Sequence, residues 1–474
     1  MKIALIHHSL GHKKFSENLK LVDEEFCLAP PIGLAYVAAI LEKHGHRVII
    51  IDANALKLSK DKVLGLINEF SPDIIGFRAD TYWFHRTREW AEYFKKNTSA
   101  KIIVGGINIS LYPRESLSYD CFDYGIIGEA NESLPKLISR LESGGCLDDL
   151  PGIVHKKNGE IFFSKPSDEI IDFDSYPFPA RHLLPNQLYH SFTSQLKNYT
   201  IMVTSLGCPF KCSFCAIVRI KYRERSADNV INEIEECYKK FGVREIDFFD
   251  ANFFVNKSRV IEICQGILRK GLKIEWSCRS RVDIVDDEVL KLSSLAGCRK
   301  IYYGIESASQ KVLGDINKNI NRDQTVRAVE LTRKYGIGAL GFFMVGNISD
   351  SKESILASID FAKELKLDFI QVCRTIAKPN TELNDRLISS TGIDYWREYI
   401  LGKRSEMRLP NPWSQLSEQE IEKYVKKFYK DFYFRIFYVL RRILKIKSLS
   451  ELFRYMRAAL KWAFFNPSDL KKEA

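Results

Sequence analysis

No uninterrupted apolar run in the 474 residues approaches the roughly 18 needed to span a bilayer, and Met1-Lys2-Ile3-Ala4-Leu5-Ile6, ending at polar His7-His8, is too short for a secretory signal. Cysteine is sparse: eleven residues is far below the density of a small disulfide-stapled scaffold. A reducing cytoplasm is the expected compartment. No Walker-type glycine loop and no convincing Ser/His/Asp spacing is present, which removes two common catalytic plans. The excess of 71 basic over 60 acidic residues, a net +11, allows anionic partners but is too dispersed to indicate nucleic acid.

The informative stretch is Ser205-Leu206-Gly207-Cys208-Pro209-Phe210-Lys211-Cys212-Ser213-Phe214-Cys215, which follows the apolar run Ile201-Met202-Val203. Three thiols on a loop at a strand end form a soft-ligand metal site. Structural zinc usually takes four protein ligands, and no matching second pair follows, so an iron–sulfur cluster is favoured over zinc or unliganded thiols. A cubane cluster held by three protein ligands keeps one iron open for a ligand that is not protein. The remaining cysteines, Cys27, Cys121, Cys146, Cys237, Cys264, Cys278, Cys298 and Cys373, are expected to be small buried hydrophobes.

Length allows two to four domains. Over 1–143, strand-like runs at Lys2–His7, Val48–Ile51, Asp73–Phe77, Lys101–Val104 and Tyr124–Ile127 alternate with helical patterns, which predicts a doubly wound parallel sheet. Its ligand should lie beyond the carboxyl ends of the strands, where Gly105-Gly106 and Gly128-Glu129 stand. Over 144–198 the alternation stops; an Asn158-Gly159 hairpin and the proline-fixed run Asp172–Arg181 read as a linker. From 199 to 385 six strand–helix repeats predict a partial parallel barrel with its site at the carboxyl ends of the strands, where the cysteine loop also lies. Residues 386–474 read as a helical region in which, from about Ser417, basic Lys423, Lys426, Lys427, Arg435, Arg441, Arg442, Lys445 and Lys447 interleave with aromatics. Packing of the aromatic face over the barrel is favoured over a place at a membrane interface.

The cysteine spacing, with Phe214 before the third cysteine, resembles the radical S-adenosylmethionine superfamily. The run Pro30–His46, then Ser71-Pro72-Asp73-Ile74-Ile75-Gly76, Gly105-Gly106 and Ile127-Gly128-Glu129, is similar to the cobalamin-binding domain of the B12-dependent members. The resemblance implies an α/β protein: an N-terminal Rossmann-like cobalamin-binding domain, a partial (β/α)6 barrel of the TIM type and a C-terminal helical region. It implies that Cys208, Cys212 and Cys215 hold a [4Fe-4S] cluster whose open iron chelates S-adenosylmethionine, and that Phe214, Asp250, Asn252, Arg279, Glu306 and Ser307 line the S-adenosylmethionine site, with Arg281 the rival of Arg279. Gly33, Gly105, Gly106, Gly128 and Glu129 are the implied cobalamin contacts.

Three departures stand out. There is no Asp-x-His-x-x-Gly segment, so no histidine is expected below the cobalt, and His44 and His46 are expected to serve a helix C-terminus instead. Asn108 and Asn380 stand where relatives often carry histidine and glycine. The absence of a second cysteine cluster argues against the methylthiolating relatives. The implied activity is methylation of an unactivated carbon. A porphyrin-pathway type cyclase is the alternative, and a non-catalytic sensor or assembly protein the minor one. Implied partners are a small-molecule or lipid-like substrate and an electron donor of flavodoxin or ferredoxin type, with no nucleic acid; peripheral membrane contact through the tail is the further expectation.

Overall fold

A computed structural model describes residues 1–9, 27–165, 172–191, 194, 196, 198–404 and 409–443. Lys445 and Lys447 of the basic tail lie outside the described residues. In the first sheet, strands β1 (Lys2–His7), β2 (Arg47–Asp52), β3 (Ile74–Arg78), β4 (Lys101–Gly105) and β5 (Tyr124–Ile126) run parallel in the order β2-β1-β3-β4-β5. Their residues are buried on both faces, as parallel strands covered by crossover helices must be. The order reverses between β1 and β3, which makes the carboxyl ends of those strands the crevice for a ligand.

The hairpin expected inside the connector continues this sheet. Strands β6 (Ile153–Lys157) and β7 (Glu160–Phe163) add antiparallel after β5, giving seven strands. Asn158 at φ 52° and Gly159 at φ 81° form the two-residue turn whose twist matches the paired strands. Buried Ile153 and Val154 attach it to the core. The connector after it is a chain of short 3-10 turns at Phe173–Ser175, Arg181–Leu183 and Asn186–Leu188.

The second sheet has six parallel strands in sequence order: β8 (Tyr199–Met202), β9 (Glu245–Phe248), β10 (Glu275–Ser280), β11 (Cys298–Glu306), β12 (Gly338–Val345) and β13 (Phe369–Arg374). Strand β8 is not paired with β13, so the barrel is partial. Ile246, Phe248, Trp276, Ile301, Phe343 and Val345 point outward into one core with helices such as Ala227–Lys240 and Lys257–Arg269; each large apolar side chain so buried contributes roughly 1.5–3 kcal/mol. The alternate residues face the concave interior. Ser226 caps the first of these helices by accepting from the Asn229 amide, and the second begins at Asn256, which accepts from the Arg259 amide.

Past the barrel the chain serves both halves. Trp396, Tyr399 and Ile400 join the core of the N-terminal sheet, and Tyr119 donates to the Ile400 carbonyl at 2.7 Å. Helix Glu418–Tyr433 then lies over the barrel with Ile421, Val425, Phe428 and Phe432 buried in its core, the packing favoured from the sequence. No described helix is long and apolar enough to cross a membrane. The expectation that the other cysteines are buried holds for Cys121, Cys237, Cys264, Cys278 and Cys298, but Cys27, Cys146 and Cys373 are exposed. Cys27 lies on the two-residue strand Cys27–Leu28, Cys146 past a helix end and Cys373 on edge strand β13, places where an apolar sequence context does not translate into enclosure.

Candidate active site

The cysteine loop stands at the carboxyl end of β8. A short antiparallel ladder closes it at the base: Ser205 pairs with Glu224 and Leu206 with Arg223. Gly207 follows at φ 73°, where a Cβ would come within 2.3 Å of the Ile220 carbonyl oxygen, so only glycine lets the two arms approach. The loop is held by one internal hydrogen bond and from two other elements. The Cys215 amide donates to the Cys212 carbonyl at 3.2 Å, the Ser213 amide to the Ile316 carbonyl at 3.1 Å, and the Leu383 amide to the Ser213 carbonyl at 3.0 Å. Cys212 is buried and Cys208 and Cys215 are half-buried.

Burial pushes the Cys212 thiol up, while the Lys318 and Arg281 cations pull it back down. Arg281 approaches Cys212 Sγ at 3.8 Å, donates to the Lys318 carbonyl at 2.8 Å, pairs with Asp283 at 2.9 Å and lies 4.0 Å over the Phe210 ring. Among the described residues no three His, Cys, Asp or Glu side chains gather tightly enough for a single ion. A four-iron cluster offers a separate iron to each thiolate, so these three thiols suit it without meeting at one point. Two buried polar atoms beside the loop, Ser213 Oγ and Asn252 Nδ2, have no partner among the described residues. Adjacent cations, orphaned donors and three thiols fit an anionic cluster and its polar ligand.

The other expected residues divide. Asn252 reaches the cluster side, its Oδ1 accepting from the Arg281 amide at 3.4 Å. Glu306 ends β11 with φ 65°, a left-handed conformation rare outside glycine, and pairs with Lys318 at 3.0 Å. Asp250 is taken by its own chain: it accepts from the Thr204 amide at 2.6 Å and from the Ser205 hydroxyl at 2.8 Å. Arg279 is held in a two-pronged pair with Asp247 at 2.5 and 2.9 Å, between Phe249 at 4.0 Å and Tyr302 at 5.1 Å. The fork expected to meet a substrate carboxylate is thus occupied, and its rival Arg281 is the guanidinium at the loop. Ser307 accepts from the Ser309 amide at 3.1 Å and meets Ser358 at 3.3 Å, so it braces the strand end. Phe214 packs against both the barrel core and the core of the N-terminal sheet. Lys318 was missed from sequence because it lies 12 residues beyond Glu306; only the fold brings the two together.

At the N-terminal sheet, Gly106 has φ 103° and a Cβ there would meet the Ala79 carbonyl oxygen at 2.7 Å, so the turn after β4 is drawn tight. Gly105 has ordinary space, and a Cβ at Gly33 would enter open space at the start of helix Ile32–Lys43. Gly128, at φ 78°, donates its amide to Ser110 at 2.8 Å. Glu129 forms an ion pair with Arg223 and accepts from Tyr176 at 3.3 Å, so its carboxylate joins the two halves. Asn108 donates to Ser116 at 2.9 Å while its buried Oδ1 stays unpartnered among the described residues. His44 sits at the helix end, 2.8 Å from the Ile40 carbonyl, as its position in the sequence implied. Tight turns at the carboxyl edge of the sheet, open space at Gly33 and an orphaned amide oxygen fit a large polar ligand of the corrin kind.

Comparison with known proteins places these two halves. The chain matches the B12 binding domain over residues 27–138 and the radical SAM superfamily over residues 202–362. It is 33% identical over 377 residues to an uncharacterized methyltransferase of Pyrococcus horikoshii, covering 78% of this chain and 81% of that one. It is 28% identical over 350 residues to the anaerobic magnesium-protoporphyrin IX monomethyl ester cyclase of Rubrivivax gelatinosus, covering 72% of this chain and 63% of the relative. In fold it is similar to the radical S-adenosylmethionine methyltransferase TsrM from Kitasatospora setae, at TM-score 0.66 and 18% identity over 82% of this chain and 75% of that one. It is likewise similar to the cobalamin-dependent S-adenosylmethionine radical enzyme OxsB, at TM-score 0.70 and 17% identity over 97% of this chain and 71% of that one. The cofactors that go with these two domains are a [4Fe-4S] cluster with S-adenosylmethionine, and cobalamin. Three thiols on a loop, a doubly wound sheet turned toward them and these likenesses together place the chain in the family of radical S-adenosylmethionine enzymes that carry a B12-binding domain.

Proposed function

We propose that this enzyme transfers a methyl group to an unactivated carbon of a small-molecule substrate. The observation that carries the reading is the direct joining of the corrinoid-type sheet to the cluster loop through Glu129 and Arg223. When bound, the cluster and cobalamin supply, respectively, the electron that cleaves S-adenosylmethionine to a 5′-deoxyadenosyl radical and the methyl group. The protein's part is to bind and orient. Cys208, Cys212 and Cys215 would hold the cluster; Arg281, paired with Asp283, would support it from beside Cys212, while Asn252 offers a buried donor and Glu306 an acceptor at the ribose end. Tight turns at Gly106 and Gly128 let the backbone approach the corrin from the sheet edge. The relatives include the Pyrococcus methyltransferase, the cytidylyl-2-hydroxyethylphosphonate methyltransferase of Streptomyces wedmorensis at 25% identity and the hopanoid C-3 methylase of Methylococcus capsulatus at 26%.

The 28% likeness to the Rubrivivax cyclase supports cyclisation as the second reading. Anaerobic turnover with methyl-labelled S-adenosylmethionine and candidate substrates separates the two: a methyltransferase carries the label into product, whereas a cyclase leaves it in methionine or unreacted cofactor. A one-electron donor of flavodoxin or ferredoxin type completes the cycle, and the cytoplasm is the compartment that suits it. Peripheral membrane contact would fall to exposed Phe434, Ile436, Val439 and Leu440 beyond the barrel-packed helix. Liposome sedimentation of Ile436→Glu/Leu440→Glu against the parent chain tests it, and equal binding removes the idea.

A further inference from the structure

Arg223, Glu224 and Arg225 form one arm of the ladder that closes the cysteine loop, and each grips a different body. Strand alternation sends the first and third to one side and the second to the other. Arg223 pairs with Glu129 on the turn that ends β5, with its guanidinium 5.7 Å over the Phe173 ring of the connector. Arg225 pairs with Glu233 and reaches the Tyr36 hydroxyl, on helix Ile32–Lys43 of the N-terminal domain, at 3.4 Å. Glu224 faces the barrel, accepting from Asn256 at 2.6 Å and lying 3.3 Å from Arg259. The approach of Gly207 to the Ile220 carbonyl leaves no slack between this arm and the first cysteine.

We propose that Arg223 is a positioning residue that, through Glu129, sets the separation between the cysteine loop and the carboxyl edge of the N-terminal sheet. This rests on the reading that those two places hold the cluster and the corrinoid. An ion pair that is partly exposed adds little to stability, so its effect falls on geometry: it holds the turn beyond β5 to the same arm that is in register with Ser205 and Leu206. Arg225 and Tyr36 tie the halves at a second point.

The test uses the full chain, loaded anaerobically with iron, sulfide and cobalamin and reduced so that both the cluster and Co(II) are paramagnetic. Pulsed electron paramagnetic resonance then reads the dipolar distance between them. The expected result is one narrow distance in the parent chain, a shifted or broadened one in Arg223→Gln at unchanged iron and corrinoid content, and recovery when Arg223→Glu is combined with Glu129→Arg. An unchanged distance in Arg223→Gln, or a charge swap that recovers nothing lost in Arg223→Glu, overturns the proposal. A parent chain that takes up no corrinoid overturns the functional reading instead. Hydrogen exchange on the unloaded chain then decides the pair: amides of 205–206 and 223–224 should exchange about two- to fivefold faster in Arg223→Gln, and equal exchange overturns it.

Discussion

Arg279 and Arg281 stand two residues apart and do different work. Both point away from the outer core by strand alternation, but Asp247 lies under the first and the cysteine loop under the second. Replacing Arg281 with alanine should leave the fold intact and lower cluster retention and S-adenosylmethionine cleavage by about 10–100-fold, the usual cost of losing a group that supports metal ligands. Lysine there should recover only part, because it lacks the planar fork. Iron content and 5′-deoxyadenosine formation measure both. Arg279→Leu should instead lose stability, about 3–5 kcal/mol in chemical denaturation, because buried Asp247 is left without its cation.

His8 is a second residue-scale case. Burial, with neighbouring His7 the next cause, pushes its imidazole down to about 4, and its Nε2 lies 2.9 Å from Thr87 Oγ1. The folded value lies below the ordinary value of about 6.5. Between those values the unfolded chain binds the extra proton, so the contribution is fully present above about pH 6.5 and is lost as pH falls towards 4. The loss should total about 3 kcal/mol. Denaturation midpoints between pH 7 and 4.5 should fall more steeply in the parent chain than in His8→Gln.

At the scale of elements, an open barrel leaves an edge strand whose backbone must be satisfied. Helix Glu418–Tyr433 supplies the partners as side chains. The Tyr429 hydroxyl accepts from the Val372 amide at 2.9 Å and donates to the Val372 carbonyl at 3.3 Å. The Tyr433 hydroxyl does the same for Ile370 at 3.0 and 2.9 Å. Each tyrosine thereby replaces a neighbouring strand at one residue of β13. Tyr429→Phe and Tyr433→Phe should each cost about 1 kcal/mol, and the double variant should aggregate at lower temperature than the parent. Light scattering on heating, with urea midpoints, measures this. Asn380 belongs to the same scale. At φ 60° it keeps a left-handed turn that asparagine tolerates better than other side chains. Thr381 can then cap helix Glu382–Thr391 by accepting from the Asn384 amide.

At the scale of the whole molecule the connector is stapled to the barrel by a buried charge group. Arg181 of the connector lies 2.6 Å from Glu233 on the first barrel helix, and Arg225 of the ladder meets the other carboxylate oxygen. Burial acts to raise the Glu233 carboxyl, but the two guanidiniums outweigh it and hold it below its ordinary value. Glu233→Gln leaves two buried cations without a counter-charge and should cost about 3–5 kcal/mol. Because Arg181 also donates to the Ile201 carbonyl at 3.1 Å at the head of the barrel, the loss should appear as a lower denaturation midpoint of the barrel and connector together.

What the sequence determined by itself was local and periodic. Apolar runs placed the five parallel strands of the first sheet to within a few residues and set the number of barrel strands at six, since burial on both faces writes itself into consecutive residues. The cysteine loop was legible because its three cysteines lie within eight residues, and the Asn158-Gly159 turn because only such residues take positive φ in succession. Tertiary structure decided everything that depends on which distant groups meet. It paired Arg279 with Asp247, set Arg281 beside Cys212, closed Asp250 inside the barrel, brought Lys318 to Glu306 and paired Glu129 with Arg223. The physical reason is common to all of these. A charged side chain at a strand end has the same local pattern whether its counter-charge is a ligand or another side chain, and only the packing of the strands selects between them.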